Sequence, residues 1–235
     1  MVTSSQYEHT VAGARLMMEA FAERRLPEWE HFARTTDLMT VERGTVLVPA
    51  HTHHPYVYLV TRGLLKLRFT QARVARTVSF HGEGEIAAAF NGLGVAAFGR
   101  VALRATPHLS ADPRVWPEGN PFELVAIERT TVLRAGFGAI EELAERSHAW
   151  SRMLTTFLST SMLLMCAGLP DSHLATPEER YRSFVSRRPD LVARISQREL
   201  AAHLGVTEVG MSRIVKRVGA QRAAAAAGTD TTAAP

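Results

Sequence analysis

"SQRELAAHLGVTEVGMSRIVK", residues 196–216, decides how this chain is read. Ser196 and Glu199 have the S-x-x-E spacing of a capping box, in which a hydroxyl and a carboxylate satisfy the free N–H groups of a helix start. Leu200 and Leu204 then fall on one face, and Ala201 keeps the helix slim where a second helix must cross. Gly205 interrupts the pattern, because glycine takes the left-handed backbone of a sharp corner at no steric cost. Val206 fills that corner and Thr207 caps the next helix. There Met211, Ile214, Val215 and Val218 face inward. Thr207, Glu208, Ser212, Arg213, Lys216 and Arg217 are left outward. Gly210 costs about 1 kcal/mol against alanine in a helix, so it implies either a close backbone approach or a weak helix.

A helix, a glycine corner and a second helix with a polar, cationic face make a helix-turn-helix. Such a second helix lies in the major groove with its first residues at base edges, where the donor and acceptor code is fullest. Arg213 suits a guanine edge, and Glu208 suits a cytosine amino group. Lys216 and Arg217 suit phosphates, as do the helix-start amides near Ser196. An ordinary helical hairpin is the alternative. The spacing, the cap, Ala201, Gly205 and the local charge together favour double-stranded DNA as the partner.

Charge placement agrees. The 235 residues carry a net charge of +4. Ten basic and six acidic residues lie between Asp171 and Arg222, so the whole excess sits in this segment. A basic patch attracts a polyanion. A hydrophobic share of 46% and a charged share of 21% exclude a wholly disordered chain. No apolar run approaches the roughly 18 residues of a membrane span, and the first 25 residues lack a signal-peptide pattern. The expected location is the cytoplasm, with no membrane partner. Cys166 is the sole cysteine. It cannot form an internal disulfide or hold an iron–sulfur cluster, and "SMLLMCAGL" reads as a buried apolar setting.

Working outward, residues 1–30 read as a helical arm, with Leu16, Met17, Phe21, Ala22 and Leu26 at helix spacing before Pro27. "TVLVPA", "YVYLVTRGLLKLRFT", "RVARTVSF" and "FELVAIERTTVLRAGF" read as strands, with Gly44 and Gly63 at turns. Residues 31–136 are thus expected to form a β sandwich or jelly roll, with an irregular Gly/Pro-rich loop over 91–121. The fold class expected is α+β. From 137 to 169, Leu143, Ser147, Trp150, Leu154, Phe157, Ser161, Leu164 and Gly168 alternate in steps of four and three, a heptad seam. An apolar face packed on the chain's own core is the alternative, but that long helix is read as a homodimer contact through Leu143, Trp150, Leu154, Phe157, Ser161 and Leu164, because it is long and its small seam residues permit close approach. "GLPDS" is expected to break it. A helix-turn-helix domain follows over 171–222 and a disordered tail over 223–235, although the alanine run can extend the last helix.

These segments resemble the Crp/Fnr family of bacterial transcription regulators. "VERGTVLVPAHTHHPYVYLVTRGLLKLRF" looks like the family's first hairpins, with a G-x-[LV]-[KR] turn at Gly63 to Lys66. "TPEERYRSFVSRRPDLVARISQRELAAHLGVTEVGMSRIVKRV" resembles a branch with an E-R-Y segment, here Glu179, Arg180 and Tyr181, then Pro189, Ser212 and Arg213. The resemblance implies an N-terminal cyclic-nucleotide-binding-like jelly roll that senses an unidentified small-molecule effector or merely scaffolds. It also implies a long dimerisation helix, a C-terminal helix-turn-helix on a two-fold symmetric operator, and RNA polymerase as a partner. It implies no enzyme, and no catalytic motif stands out.

Three departures matter. The family's phosphate cassette puts Gly-Glu before Arg-Ser or Arg-Thr. Here Gly84 and Glu85 are present as candidate effector residues, but Arg100 and Arg104 stand in the wrong context. Cyclic nucleotide is therefore not predicted, and neither is any cofactor. The family commonly has Glu where this chain has Val209, which can touch a thymine methyl but cannot read a cytosine amino group. Only "GAQRAAAAAGTDTTAAP" follows Val218, so the wing is expected to be reduced or absent. A rival reading rests on "HTHHPY". His51 and His53 on a strand would face one side, and with His54 they offer a candidate metal site like that of cupins. The carboxylate that pattern needs is replaced by Val57, Tyr58 and Leu59, so an exposed turn is preferred.

Overall fold

The strand-rich half is built from residues whose partners lie far away in sequence. The computed structural model describes residues 4–50, 52, 54–71, 74–88 and 122–229. The chain divides into two compact units, Met1–Leu163 and Leu164–Pro235.

The first unit holds two four-stranded antiparallel sheets. One has β1 (Thr36–Val41), β8 (Thr130–Gly136), β3 (Tyr56–Arg62) and β6 (Ile86–Ala87), in that order; the other has β2 (Val46–Val48), β7 (Phe122–Ala126), β4 (Leu65–Gln71) and β5 (Val74–His81). The chain crosses repeatedly from one sheet to the other. The inner faces meet over Val48, Val60, Leu65, Leu67, Leu124 and Val132. Alternation explains this burial: in β3, Tyr58 and Val60 point inward while the residues between them do not. The β3–β4 crossing is pinned at Gly63, whose φ is +98° and whose missing Cβ would stand 2.6 Å from the Thr130 Cα. No other residue fits there. Leu64 N–H also donates to the Thr130 hydroxyl at 3.1 Å.

A second core covers the outer face of the first sheet. Leu133 and Ala135 meet α1 (Ser4–Ala22), α2 (Trp29–Ala33), α3 (Phe137–Arg146) and the first half of α4 (His148–His173). Trp29 and Trp150 stack with ring centroids 6.2 Å apart. The Trp150 indole N–H donates to the Pro27 carbonyl at 2.8 Å. Where a helical arm was expected over residues 1–30, α1 covers Ser4–Ala22 and α2 begins at Trp29.

Several expectations need correction. The helix expected to run unbroken from 137 is two helices, because Ser147 adopts extended backbone between them. The "GLPDS" segment lies inside α4, which continues to His173. A proline removes one helical N–H but does not by itself end a long helix. Residues 223–229, expected in an unordered tail, are helical; the alanine run extends the last helix to Thr229. Strands β1 and β6 were not read from the sequence. The loop expected over 91–121 lies outside the described residues.

The second unit is helical throughout its described residues. It has the end of α4, then α5 (Pro177–Arg187), α6 (Pro189–Val192), α7 (Gln197–Leu204) and α8 (Glu208–Thr229). Its core gathers Tyr181, Leu191, Leu200, Leu204, Met211 and Val218.

Candidate nucleic-acid interface

The two helix-start hydroxyls and the glycine corner read in residues 196–216 each have a matching geometry. The Ser196 hydroxyl accepts from the Glu199 N–H at 3.2 Å and starts α7. Gly205 closes it in the left-handed conformation, φ 67° and ψ 35°. The Val206 N–H then bonds the Ala201 carbonyl at 3.0 Å. The Thr207 hydroxyl accepts from the Gly210 N–H at 3.1 Å and starts α8. Gly210 has its explanation in that cap: a Cβ there would lie 3.2 Å from the Thr207 hydroxyl oxygen. The close approach is to the cap, within the helix start itself.

Packing sorts the faces of α8. Met211 and Val218 are buried, and Ile214 and Val215 are half-buried. Thr207, Glu208, Val209, Arg213, Lys216 and Arg217 are exposed, and Ser212 is half-buried. Val209 is 64% exposed, unusual for a large apolar side chain with no core role.

The outward charges are not equivalent. Arg217 pairs with Glu178 of α5 at 3.0 Å, and Glu178 also binds Arg182 at 3.0 Å. Arg182, and then Arg217, hold the Glu178 carboxyl below its ordinary range, against a smaller opposing effect of desolvation. Arg217 is therefore turned toward α5, and a phosphate would have to compete for it. Glu208 lies 3.7 Å from Arg198, which partly neutralises it. Arg213 and Lys216 make no ion pair among the described residues. Among the described residues they are the cations of the α8 face without an ion pair.

The structure gives the E-R-Y segment a mechanical role that the sequence reading did not assign. Thr176 and Glu179 form a reciprocal capping box at the start of α5, with Pro177 in its first turn. The bond from the Thr176 hydroxyl, and then that from its N–H, lowers the Glu179 pKa. Arg180 donates to the Ala175 carbonyl at 3.0 Å and to the Leu204 carbonyl at 2.8 Å. It thereby ties the end of α7, one residue before the corner, to the start of α5. Tyr181 is buried. The T-P-E-E string was a legible helix start; the reach of Arg180 to Leu204 was not.

The other sequence candidates fall elsewhere. Gly84, at φ +80°, and Glu85 form the turn before β6. The Gly84 N–H donates to Val60, and the Glu85 carboxylate accepts from the Gly82 N–H at 3.0 Å. That carboxylate closes its own turn. Arg100 and Arg104 lie outside the described residues, as do His51 and His53. His54 hydrogen-bonds the Tyr58 hydroxyl through Nε2 and stacks on its ring. Burial pushes the Tyr58 phenol up to about 12. Among the described residues no group of three or more His, Cys, Asp or Glu gathers as a metal site.

The expected dimer seam divides in two. Leu143 and Trp150 are fully buried in the first unit's own core, which leaves them no surface for a partner. Leu154 and Phe157 pack partly against the same core, and Phe157 meets Phe21 edge-on. The Ser161 hydroxyl bonds back to the Phe157 carbonyl. Leu164 is 71% exposed, beside Met162 at 61% and Leu163 at 65%. Cys166, expected to be buried, is exposed on the same stretch.

No protein-family model matches the sequence, and no curated protein matches it. Solved structures do match its fold. A protein from Eubacterium rectale, described as a transcriptional regulator of the Crp/Fnr family, has a TM-score of 0.63 at 10% identity, with 88% of each chain covered. FixK2 from Bradyrhizobium japonicum has a TM-score of 0.62 at 16% identity, covering 79% of this chain and 85% of that one. The c-di-GMP-responsive global regulator CLP from Xanthomonas campestris has a TM-score of 0.57 at 14% identity, covering 82% and 90%. Identities this low establish a shared fold.

Proposed function

We propose that the chain is a sequence-specific, DNA-binding transcription regulator of the Crp/Fnr type, acting as a homodimer on a two-fold symmetric operator. The observation that carries this is the α7–Gly205–α8 corner. It buries one face of α8 and leaves Arg213, Lys216 and Val209 outward, two of them cations with no ion pair among the described residues. In this reading Arg213 forks to a guanine edge and Val209 meets a thymine methyl. Lys216 neutralises a phosphate. Ser196, Thr207, Glu208 and Ser212 flank the groove, and Arg217 joins only if it leaves Glu178.

The alternation of strands between two sheets supports a jelly roll of the cyclic-nucleotide-binding-like kind. The exposed run Met162, Leu163 and Leu164 supports pairing along the second half of α4, since contiguous apolar surface of this sort seeks a partner. Pairing would set two reading helices about 34 Å apart, one turn of duplex. An effector, if the first unit takes one, would act by favouring the dimer geometry that matches that spacing. RNA polymerase is the expected downstream partner.

Selection of bound fragments from random duplex DNA with the purified protein tests this reading. A two-fold symmetric consensus is the expected result. Recovery of unselected sequence would remove the specific-reader proposal, and an asymmetric half-site would remove the dimer.

A further inference from the structure

A partly open apolar pocket of about 50 Å³ lies in the first unit, on the outer side of the first sheet. Its wall is drawn from α1, α2, β3, β6, β8, α3 and α4. Ala14, Met17 and Met18 of α1 form one side, and Leu133 and Ala135 of β8 form the floor. Ile140 of α3 and Met153 and Phe157 of α4 close it. Every side chain on the wall is apolar. The wall offers water almost no polar partner, and an apolar site of this kind suits an apolar guest. The volume is well below the roughly 150 Å³ that holds benzene. Three thioether side chains supply part of the wall, and methionine re-shapes around a guest more readily than branched residues do.

We propose that this cavity is a binding site for a small apolar molecule, either a dissolved gas or the end of a short alkyl chain. Ala14 and Ala135, both buried, are the small residues that leave the space open. Residues of α4 form one wall, so a guest touches the same helix that carries the exposed Met162–Leu164 run further on. The site does not depend on the DNA-binding reading.

Methyl NMR of the full chain, labelled with ¹³C at the methionine methyl groups, tests it with xenon and with 1-pentanol as separate probes. The expected result is a saturable shift of the Met17, Met18 and Met153 methyls with at least one probe. Met162 and Met211, outside the cavity, stay unmoved. A response to xenon alone marks a gas-sized guest, and a response to 1-pentanol marks a chain end. The response should vanish in Ala135→Val and in Ala14→Leu, which fill the space; if one variant fails to fold, the other serves, and the wild-type titration decides by itself. No shift with either probe, equal shifts at Met162 and Met211, or a response that survives filling overturns the proposal.

Discussion

Arg180 reaches the Leu204 carbonyl across 24 residues, and that is among the longer bonds that shape the helical unit. In the sheet unit Thr36 pairs with Ala135, and Asp37 with Arg134, 97 residues further along the chain. The helical unit is fixed by caps, a corner and a spacing that sit side by side. The sheet unit is fixed by partners that only the fold brings together. Local determinants leave one face of α8 free for something outside the protein, whereas the strands spend most of their large side chains on each other.

The contrast is broken most forcefully at Trp150. Trp150→Ala should cost about 3–5 kcal/mol, through lost burial and the cavity left behind. Denaturant unfolding followed by methyl NMR should show that loss in the first unit while the Met211 signal of the second keeps its midpoint. A single shared transition, shifted as a whole, would contradict two separately stabilised units.

Arg180→Gln probes the other side. Hydrogen bonds from a charged donor contribute about 1.5–3 kcal/mol each, and Arg180 makes two to backbone carbonyls. Glutamine can keep part of that bonding as a neutral donor, so the expected loss is about 2–3 kcal/mol in the second unit alone. Binding to specific and to random DNA should fall together, because the corner loosens and no base contact is removed. Discrimination lost with unchanged stability would assign Arg180 to base reading.

The smallest effects lie at the α8 start. Thr207→Ala should cost about 1 kcal/mol as a lost cap. Gly210→Ala should be close to neutral: about 1 kcal/mol of helix propensity is gained, but the new methyl crowds the Thr207 oxygen at 3.2 Å. In the Thr207→Ala background the same change should become stabilising. Thermal melts of the wild type and the three variants check this, and a Gly210→Ala gain independent of residue 207 would contradict the crowding.

The same division explains what the sequence disclosed. Ser196, Gly205 and Thr207 each act within four residues of their partners, so the corner could be read from type and spacing. Strand β1, "TDLMTV", has no clean alternation of its own and is a strand because β8 lies beside it. The seam beginning at Leu143 had helical spacing throughout, but periodicity names a buried face without naming what buries it. Leu143 and Trp150 went to the chain's own sheet, and only the stretch near Leu164 remained outside. At the candidate interface the outward residue types were legible, while the clasp of Glu178 on Arg217 needed α5 to be brought beside α8.

The central claim is that the outer face of α8 reads duplex DNA, and titrating labelled duplexes with wild-type, Arg213→Ala and Lys216→Ala protein over a range of salt tests it most directly. On the selected duplex Arg213→Ala should lose about 1–3 kcal/mol, with little change on random sequence. Lys216→Ala should weaken both alike and lower the salt slope by about one. Wild-type protein that ignores DNA at low salt, or an Arg213→Ala loss equal on both duplexes, would contradict the account.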